Sequence, residues 1–131
     1  MKEIIIGSSA ETTSIVNSTN TAIKVGSGSL PVFGTPFMIA LMEKATCNAV
    51  SKFLEENETT VGTSINVSHS KASGIGTVVS TKAVITEYCD RKIVFEVTAT
   101  DSDGDIIGKG TIERFVVNED RFMKKVGKNE I

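Results

Sequence analysis

The chain has 131 residues, with 14 lysines and arginines against 16 aspartates and glutamates, and a formal net charge of −2. This length fits one domain around a single core and is too short for two. The slight negative charge argues against a nucleic acid or an anionic membrane as partner.

The cysteine count and the apolar runs indicate the compartment. Two cysteines, Cys47 and Cys89, are too few for the disulfide framework of a small secreted domain. No apolar run approaches the length of a membrane span, and the apolar core at residues 4–6 is too short for a secretory signal. We therefore expect a cytoplasmic protein with one domain over residues 1–131.

The first 30 residues contain weak signals. Residues 1–20 are rich in serine, threonine and asparagine, and at most predict an edge strand near residues 12–16. Residues 22–25 alternate weakly between apolar and polar. Residues 26–29 (GSGS) are typical of a flexible loop.

Residues 34–50 predict the central helix. Thr35 followed by Pro36 is typical of a helix start, because a hydroxyl can accept from the first free amides and proline has no N–H to lose there. Apolar residues then occupy nearly every face for two turns, as in a helix surrounded by protein. We expect this helix to run from residue 36 to about residue 54.

Glu43 stands within this apolar run. Burying an ionised carboxylate without a partner costs several kcal/mol, which a small domain cannot easily offset. Glu43 is therefore either paired or functional, unless it lies on one solvated edge of the helix with Lys44 and Asn48.

After the helix the apolar period changes to two, which predicts strands. In residues 60–70 the alternation puts one set of side chains on the half-buried face: Val61, Thr63, Ile65, Val67 and His69. His69, the only histidine in the chain, thus shares a face with apolar residues.

The rest of the chain predicts three more strands and a short helix, over residues 77–88, 93–100, 106–117 and 119–126. Residues 101–105 are acidic and contain Asp103-Gly104, a hairpin signal. No glutamate closes a twelve-residue loop there, so a plain hairpin is favoured over a calcium site.

A long apolar helix followed by an antiparallel meander predicts an α+β fold, with the sheet packed on the helix. Such a sheet has exposed edge strands, and an unpaired edge is a template for association. We therefore expect pairing with a second copy of the chain.

Three segments, TPFMIALME at residues 35–43, VGTSINVSH at 61–69 and GKGTIER at 108–114, together resemble the fluoroacetyl-CoA thioesterase family of hotdog-fold proteins. They occur in the family's order, and the resemblance covers residues 22–125. It implies a hotdog fold, in which an antiparallel sheet wraps a long central helix. It also implies a homodimeric acyl-CoA thioesterase that releases a short or small acid and needs no cofactor or metal.

The resemblance further implies a set of site residues. Thr35, Glu43 and His69 correspond to the family's catalytic residues at a subunit interface, and Gly62 and Arg114 to residues of its substrate pocket. Thioester hydrolysis needs a nucleophile, donors for the oxyanion and a proton for the thiolate. Glu43 could attack the thioester or activate water, His69 could act as acid or base, and Thr35 could orient either.

Each residue also has a structural alternative. Thr35 could only cap the helix, and His69 could be a satisfied core histidine. Arg114 could merely pair with Glu113 or Glu96. Among functions, the alternative is a non-catalytic protein that binds acyl-CoA or another small ligand, and hydratase chemistry is a weaker option on the same fold.

Two departures from the family bear on the acyl group. The family member specialised for fluoroacetyl-CoA has an aromatic lid before the catalytic threonine, whereas residues 26–33 here contain a single phenylalanine, Phe33. Pro36 stands where that member has a glycine. These differences argue against fluoroacetyl selectivity.

Overall fold

A computed structural model describes residues 1–127 and contains five strands and three α-helices in that range. In chain order they are β1 (Ser9–Ile15), α1 (Ala22–Val25), α2 (Thr35–Val50), β2 (Glu58–His69), β3 (Val78–Cys89), β4 (Lys92–Thr100), β5 (Ile106–Asn118) and α3 (Glu119–Val126). The single domain expected over residues 1–131 stays a prediction, and residues 128–131 lie outside the described part. No helix of the described residues is both long and apolar enough to cross a membrane.

The five strands form one antiparallel sheet in the order β1-β3-β4-β5-β2. Strands β3 and β4 are joined by a tight turn in which Asp90 and Arg91 both have positive φ, of 49° and 71°. The hairpin predicted between β4 and β5 is present, with Gly104 at φ 84°. The sheet leaves β1 and β2 as its two edges.

Helix α2 packs on the sheet mainly through β1 and β3. Its buried stripe contains Met38, Met42, Ala45 and Ala49, spaced as one helix face requires. The rest of the core comes from the sheet, including Phe95, Ile85, Ile93 and Ile112. The long helix enclosed by an antiparallel sheet agrees with the predicted α+β architecture.

The helix departs from its prediction in two respects. It ends at Val50 and continues as a 3₁₀ turn over Ser51–Phe53, where a helix to residue 54 was expected. Within one copy of the chain it is also not covered by protein on every face, because Ala40 and Cys47 are exposed. Part of the apolar surface of α2 is therefore left exposed in a single copy of the chain.

Strand β2 departs from the alternation predicted for it. Gly62 pairs with Arg114 and Ser64 pairs with Glu113, so Thr63 is an extra residue and forms a β-bulge. The bulge reverses the alternation, and Val61 and Thr63 do not share a face with His69 as predicted. Gly62 and His69 are seven residues apart and would face opposite ways in a regular strand. The bulge puts both on the face that lies towards α2.

Candidate active site

Thr35 and His69 are in direct contact. Thr35 is the first residue of α2, and its Oγ1 lies 2.7 Å from Nδ1 of His69, the last residue of β2. The N-cap of the helix is Gly34, and no side chain caps it. The alternative in which Thr35 merely caps the helix is therefore wrong.

The other ring nitrogen of His69 is buried. Within residues 1–127 its Nε2 has no hydrogen-bond partner, which does not fit a satisfied core histidine. Loss of hydration on burial lowers the pKa of His69 below 6.5, because it disfavours the charged imidazolium. The imidazole is thus mostly neutral at pH 7, and its Nε2 makes no hydrogen bond within the described residues.

This protonation state predicts the pH dependence of the reaction. If turnover needs neutral His69, kcat/KM should decrease as the pH falls, with an apparent pKa below 6.5. The folded state should also lose stability as pH falls below 6.5, because the unfolded chain takes up the proton first. Steady-state rates and denaturant titrations from pH 5 to pH 8 measure both effects. An apparent pKa of 6.5 or higher for kcat/KM would contradict the prediction.

Glu43, Gly62 and Arg114 form a second cluster. Arg114 Nη1 donates to Glu43 Oε2 at 3.1 Å, and the Arg114 side chain is only 8% exposed. A Cβ on Gly62 would come within 2.9 Å of the same carboxylate oxygen, so only glycine fits there without displacing Glu43. The Glu43 side chain is 34% exposed. It is paired with Arg114 and is not free on a solvated edge of the helix.

Arg114 is held in place by a residue that the sequence did not point to. Its Nε donates to Thr60 Oγ1 at 2.8 Å, and its Nη2 donates to the Thr60 carbonyl at 3.1 Å. The alternative partners of Arg114 are wrong, since Glu113 instead pairs with Lys92. Thr60 could have been found only from the β2–β5 register, which places it beside Arg114.

Thr60→Val should destabilise the protein by about 1–3 kcal/mol, because it leaves the buried Nε of Arg114 without an acceptor. We also expect kcat/KM to fall, since the guanidinium loses its fixed position beside Glu43. Denaturant titration and steady-state rates measure the two effects.

Two variants provide controls for Thr60→Val. Thr60→Ser keeps the hydroxyl and should restore both properties, and Thr59→Val makes the same chemical change at the neighbouring residue. If Thr60→Val matches Thr60→Ser in stability and rate, Thr60 does not position Arg114.

The two clusters are separate within one chain. Thr35 and Glu43 are eight residues apart on α2, which corresponds to about 12 Å along the helix axis. Gly62 and His69 are separated along β2 by about 20 Å once the bulge is allowed for. We name the Thr35–His69 pair the histidine half-site and the Glu43–Gly62–Arg114 group the carboxylate half-site.

The carboxylates of Asp101, Asp103 and Asp105 come within 4.8 Å of one another, as a cation site requires. However, Lys71 Nζ already lies 2.7 Å from Asp101 and 2.6 Å from Asp105. These contacts raise the pKa of Lys71, so the ammonium stays charged. The cluster therefore acts as an ion pair that joins the β4–β5 hairpin to the segment after His69.

Comparison with known proteins identifies the family. The profile of the fluoroacetyl-CoA-specific thioesterase family matches residues 16–120, a range that contains every residue of both half-sites. The chain belongs to this family. A relative from Streptantibioticus cattleyicolor, described as fluoroacetyl-CoA thioesterase, is 39% identical over 95 residues, or 72% of this chain and 68% of the relative.

Solved structures agree with the family and its fold. A structure of the fluoroacetyl-CoA thioesterase is 29% identical, with a TM-score of 0.89 over 99% of this chain and 100% of the other. A thioesterase superfamily member from Thermus thermophilus is 25% identical, with a TM-score of 0.90 over 97% and 93% of the two chains. The hotdog fold expected from the sequence is confirmed, and this family member is a thioester hydrolase.

Proposed function

We propose that the chain hydrolyses a small acyl-CoA to the free acid and CoA, with Thr35, Glu43 and His69 in catalytic roles. The observation that carries the proposal is the 2.7 Å contact between Thr35 and His69, whose second nitrogen is buried without a partner. A solved variant of the related fluoroacetyl-CoA thioesterase is a complex with fluoroacetate and CoA, which supports this class of substrate.

The residue types fit the steps of thioester hydrolysis. Arg114 binds one carboxylate oxygen of Glu43, which leaves the other oxygen to attack the thioester carbonyl or to take a proton from a water. Neutral His69, oriented by Thr35, would take up the proton released by the attacking water and, as the imidazolium, would pass it to the departing thiolate. Gly62 keeps side-chain atoms away from the carboxylate, so that the thioester can approach it.

We propose that a homodimer brings the half-sites together. The exposed centre of the β2 edge, residues 62–66, is free to pair with the same edge of a second copy. Antiparallel pairing centred on Ser64 would put the partner's Gly62 opposite residue 66. His69 would then lie about 10 Å along the strand from the partner's Gly62, about half the separation within one chain.

We propose that the protein works in the cytoplasm with no metal or other cofactor. Both cysteines are free and exposed, as a reducing compartment allows. The proposed steps need only protein side chains and water. The net charge of −2 supports a small-molecule partner over a nucleic acid or a membrane.

The position of Phe33 supports an acyl group other than fluoroacetyl. This single aromatic residue of the segment before Thr35 is 2% exposed and belongs to the hydrophobic core. A core side chain is not free to close over a bound acyl group as a lid residue would. We therefore do not propose fluoroacetyl-CoA as the preferred substrate, although the test below includes it.

The test is release of free thiol from a panel that includes acetyl-, propionyl-, fluoroacetyl- and longer acyl-CoA thioesters. We expect turnover of at least one small thioester by the wild-type protein, and much slower turnover by Thr35→Ala as the control. Binding of CoA without thiol release from any thioester would instead support the non-catalytic alternative.

A further inference from the structure

A cleft of about 460 Å³ lies where α3 packs beside the ends of β2 and β5. This volume is within the range of small-ligand sites. Its polar and apolar lining includes Arg91, Arg121, Lys125, Phe122, Val116 and Asn118. None of these residues belongs to either half-site.

The cleft is positively charged in a chain that is acidic overall. The one carboxylate that lines it, Glu58, is already neutralised by Arg91 at 3.2 Å and by the N-terminal ammonium at 3.4 Å. A hydrogen bond from the Glu55 N–H and the contact with Arg91 lower the pKa of Glu58, so it remains the charged partner of these cations. Two further cations of the lining, Arg121 and Lys125, do not pair with Glu58.

Helix α3 presents these two cations together. Arg121 and Lys125 are four residues apart on α3 and therefore neighbours on its surface, with Phe122 also facing the cleft. Within residues 1–127 neither cation makes an ion pair. A phosphorylated ligand would gain charge-assisted hydrogen bonds from both.

We propose that this cleft binds the phosphorylated nucleotide of CoA, with Arg121 and Lys125 holding its phosphates and Phe122 contacting the adenine. The inference rests on the proposed function, which supplies CoA as the ligand. An acidic protein must provide local cations for the CoA phosphates, and the cleft concentrates them. The apolar part of the lining suits a nucleobase better than a bare phosphate ion.

The cleft is correctly placed for the far end of the substrate. Strands β2 and β5 run together from the Gly62–Arg114 pair to the Glu58–Asn118 pair at the cleft. That is four residues, or about 13 Å. The extended pantetheine arm of CoA can bridge such a distance between a thioester beside Glu43 and phosphates at α3.

The test measures binding of CoA and of pantetheine, which lacks the nucleotide, by isothermal titration calorimetry. The double variant Arg121→Gln/Lys125→Gln should weaken CoA binding by roughly tenfold or more, and leave pantetheine binding unchanged. Lys124→Gln removes a charge from the same helix but outside the cleft, so it should bind CoA like wild type. Circular dichroism checks that α3 still forms.

The outcomes separate this inference from the proposed function. Equal CoA affinities for wild type and the double variant would overturn the cleft assignment, even if acyl-CoA is hydrolysed. Equal loss of CoA and pantetheine affinity would also overturn it, because the effect would then not depend on the phosphates. Selective loss of CoA affinity in a protein that releases no thiol would support the cleft and refute the hydrolase proposal.

Discussion

Glu43→Gln is expected to lower kcat by a hundredfold or more while the protein stays folded. The amide is close to the carboxylate in size, and its oxygen can still accept from Arg114 Nη1. It can neither attack a thioester nor take a proton from water. Thiol release measures the rate, and thermal unfolding should show a midpoint close to that of wild type.

The matched control for Glu43→Gln is Glu56→Gln, the same chemical change at an exposed residue outside both half-sites. It should leave kcat and the unfolding temperature unchanged. A Glu43→Gln protein with wild-type turnover would remove Glu43 from the reaction and leave its pairing with Arg114 as a structural contact.

The second large effect is expected when two inactive variants are mixed. His69→Ala should also lose roughly a hundredfold in kcat, since it removes an acid–base group. If each active site combines the histidine half-site of one chain with the carboxylate half-site of the other, refolding His69→Ala together with Glu43→Gln creates dimers with one intact site. Random pairing should restore about a quarter of wild-type activity.

A mixture of His69→Ala with Thr35→Ala is the control for this experiment. Both changes affect the histidine half-site, so no dimer from this mixture contains an intact site and activity should stay low. Native mass spectrometry shows whether mixed dimers form. Mixed dimers of His69→Ala and Glu43→Gln without any gain in activity would show that the half-sites do not combine across subunits.

The order of the elements was predictable because each has a strong local pattern. The period-two runs located β3, β4 and β5 to within one or two residues, and the Asp-Gly signal located the hairpin between β4 and β5. The acidic start and basic end of α3 fit a helix dipole, and this helix also appears where expected.

The candidate site was less predictable because its contacts depend on register. The family resemblance pointed to Thr35, Glu43 and His69, but not to which of them touch. The pairing of Arg114 with Glu43 and Thr60 joins residues 71 and 54 positions apart, and no local pattern encodes it. The bulge at Thr63 was missed for the same reason, because threonine is compatible with either face of a strand.

The surroundings of α2 were less predictable for a different reason. Apolar residues on nearly every face predict a helix surrounded by protein, yet part of the α2 surface is exposed in one copy of the chain. In a protein that self-associates, some apolar residues serve contacts between subunits and others serve the core of one chain. The proposed dimer would account for the excess of apolar residues.

The bulge at Thr63 also limits how this sequence can change over evolution. The side chains between Gly62 and His69 are mostly exposed and could vary, but the number of residues between them could not. An insertion or deletion of one residue would turn His69 to the opposite face of the sheet, away from Thr35. In this segment the spacing, more than the identity of the intervening residues, is what natural selection would preserve.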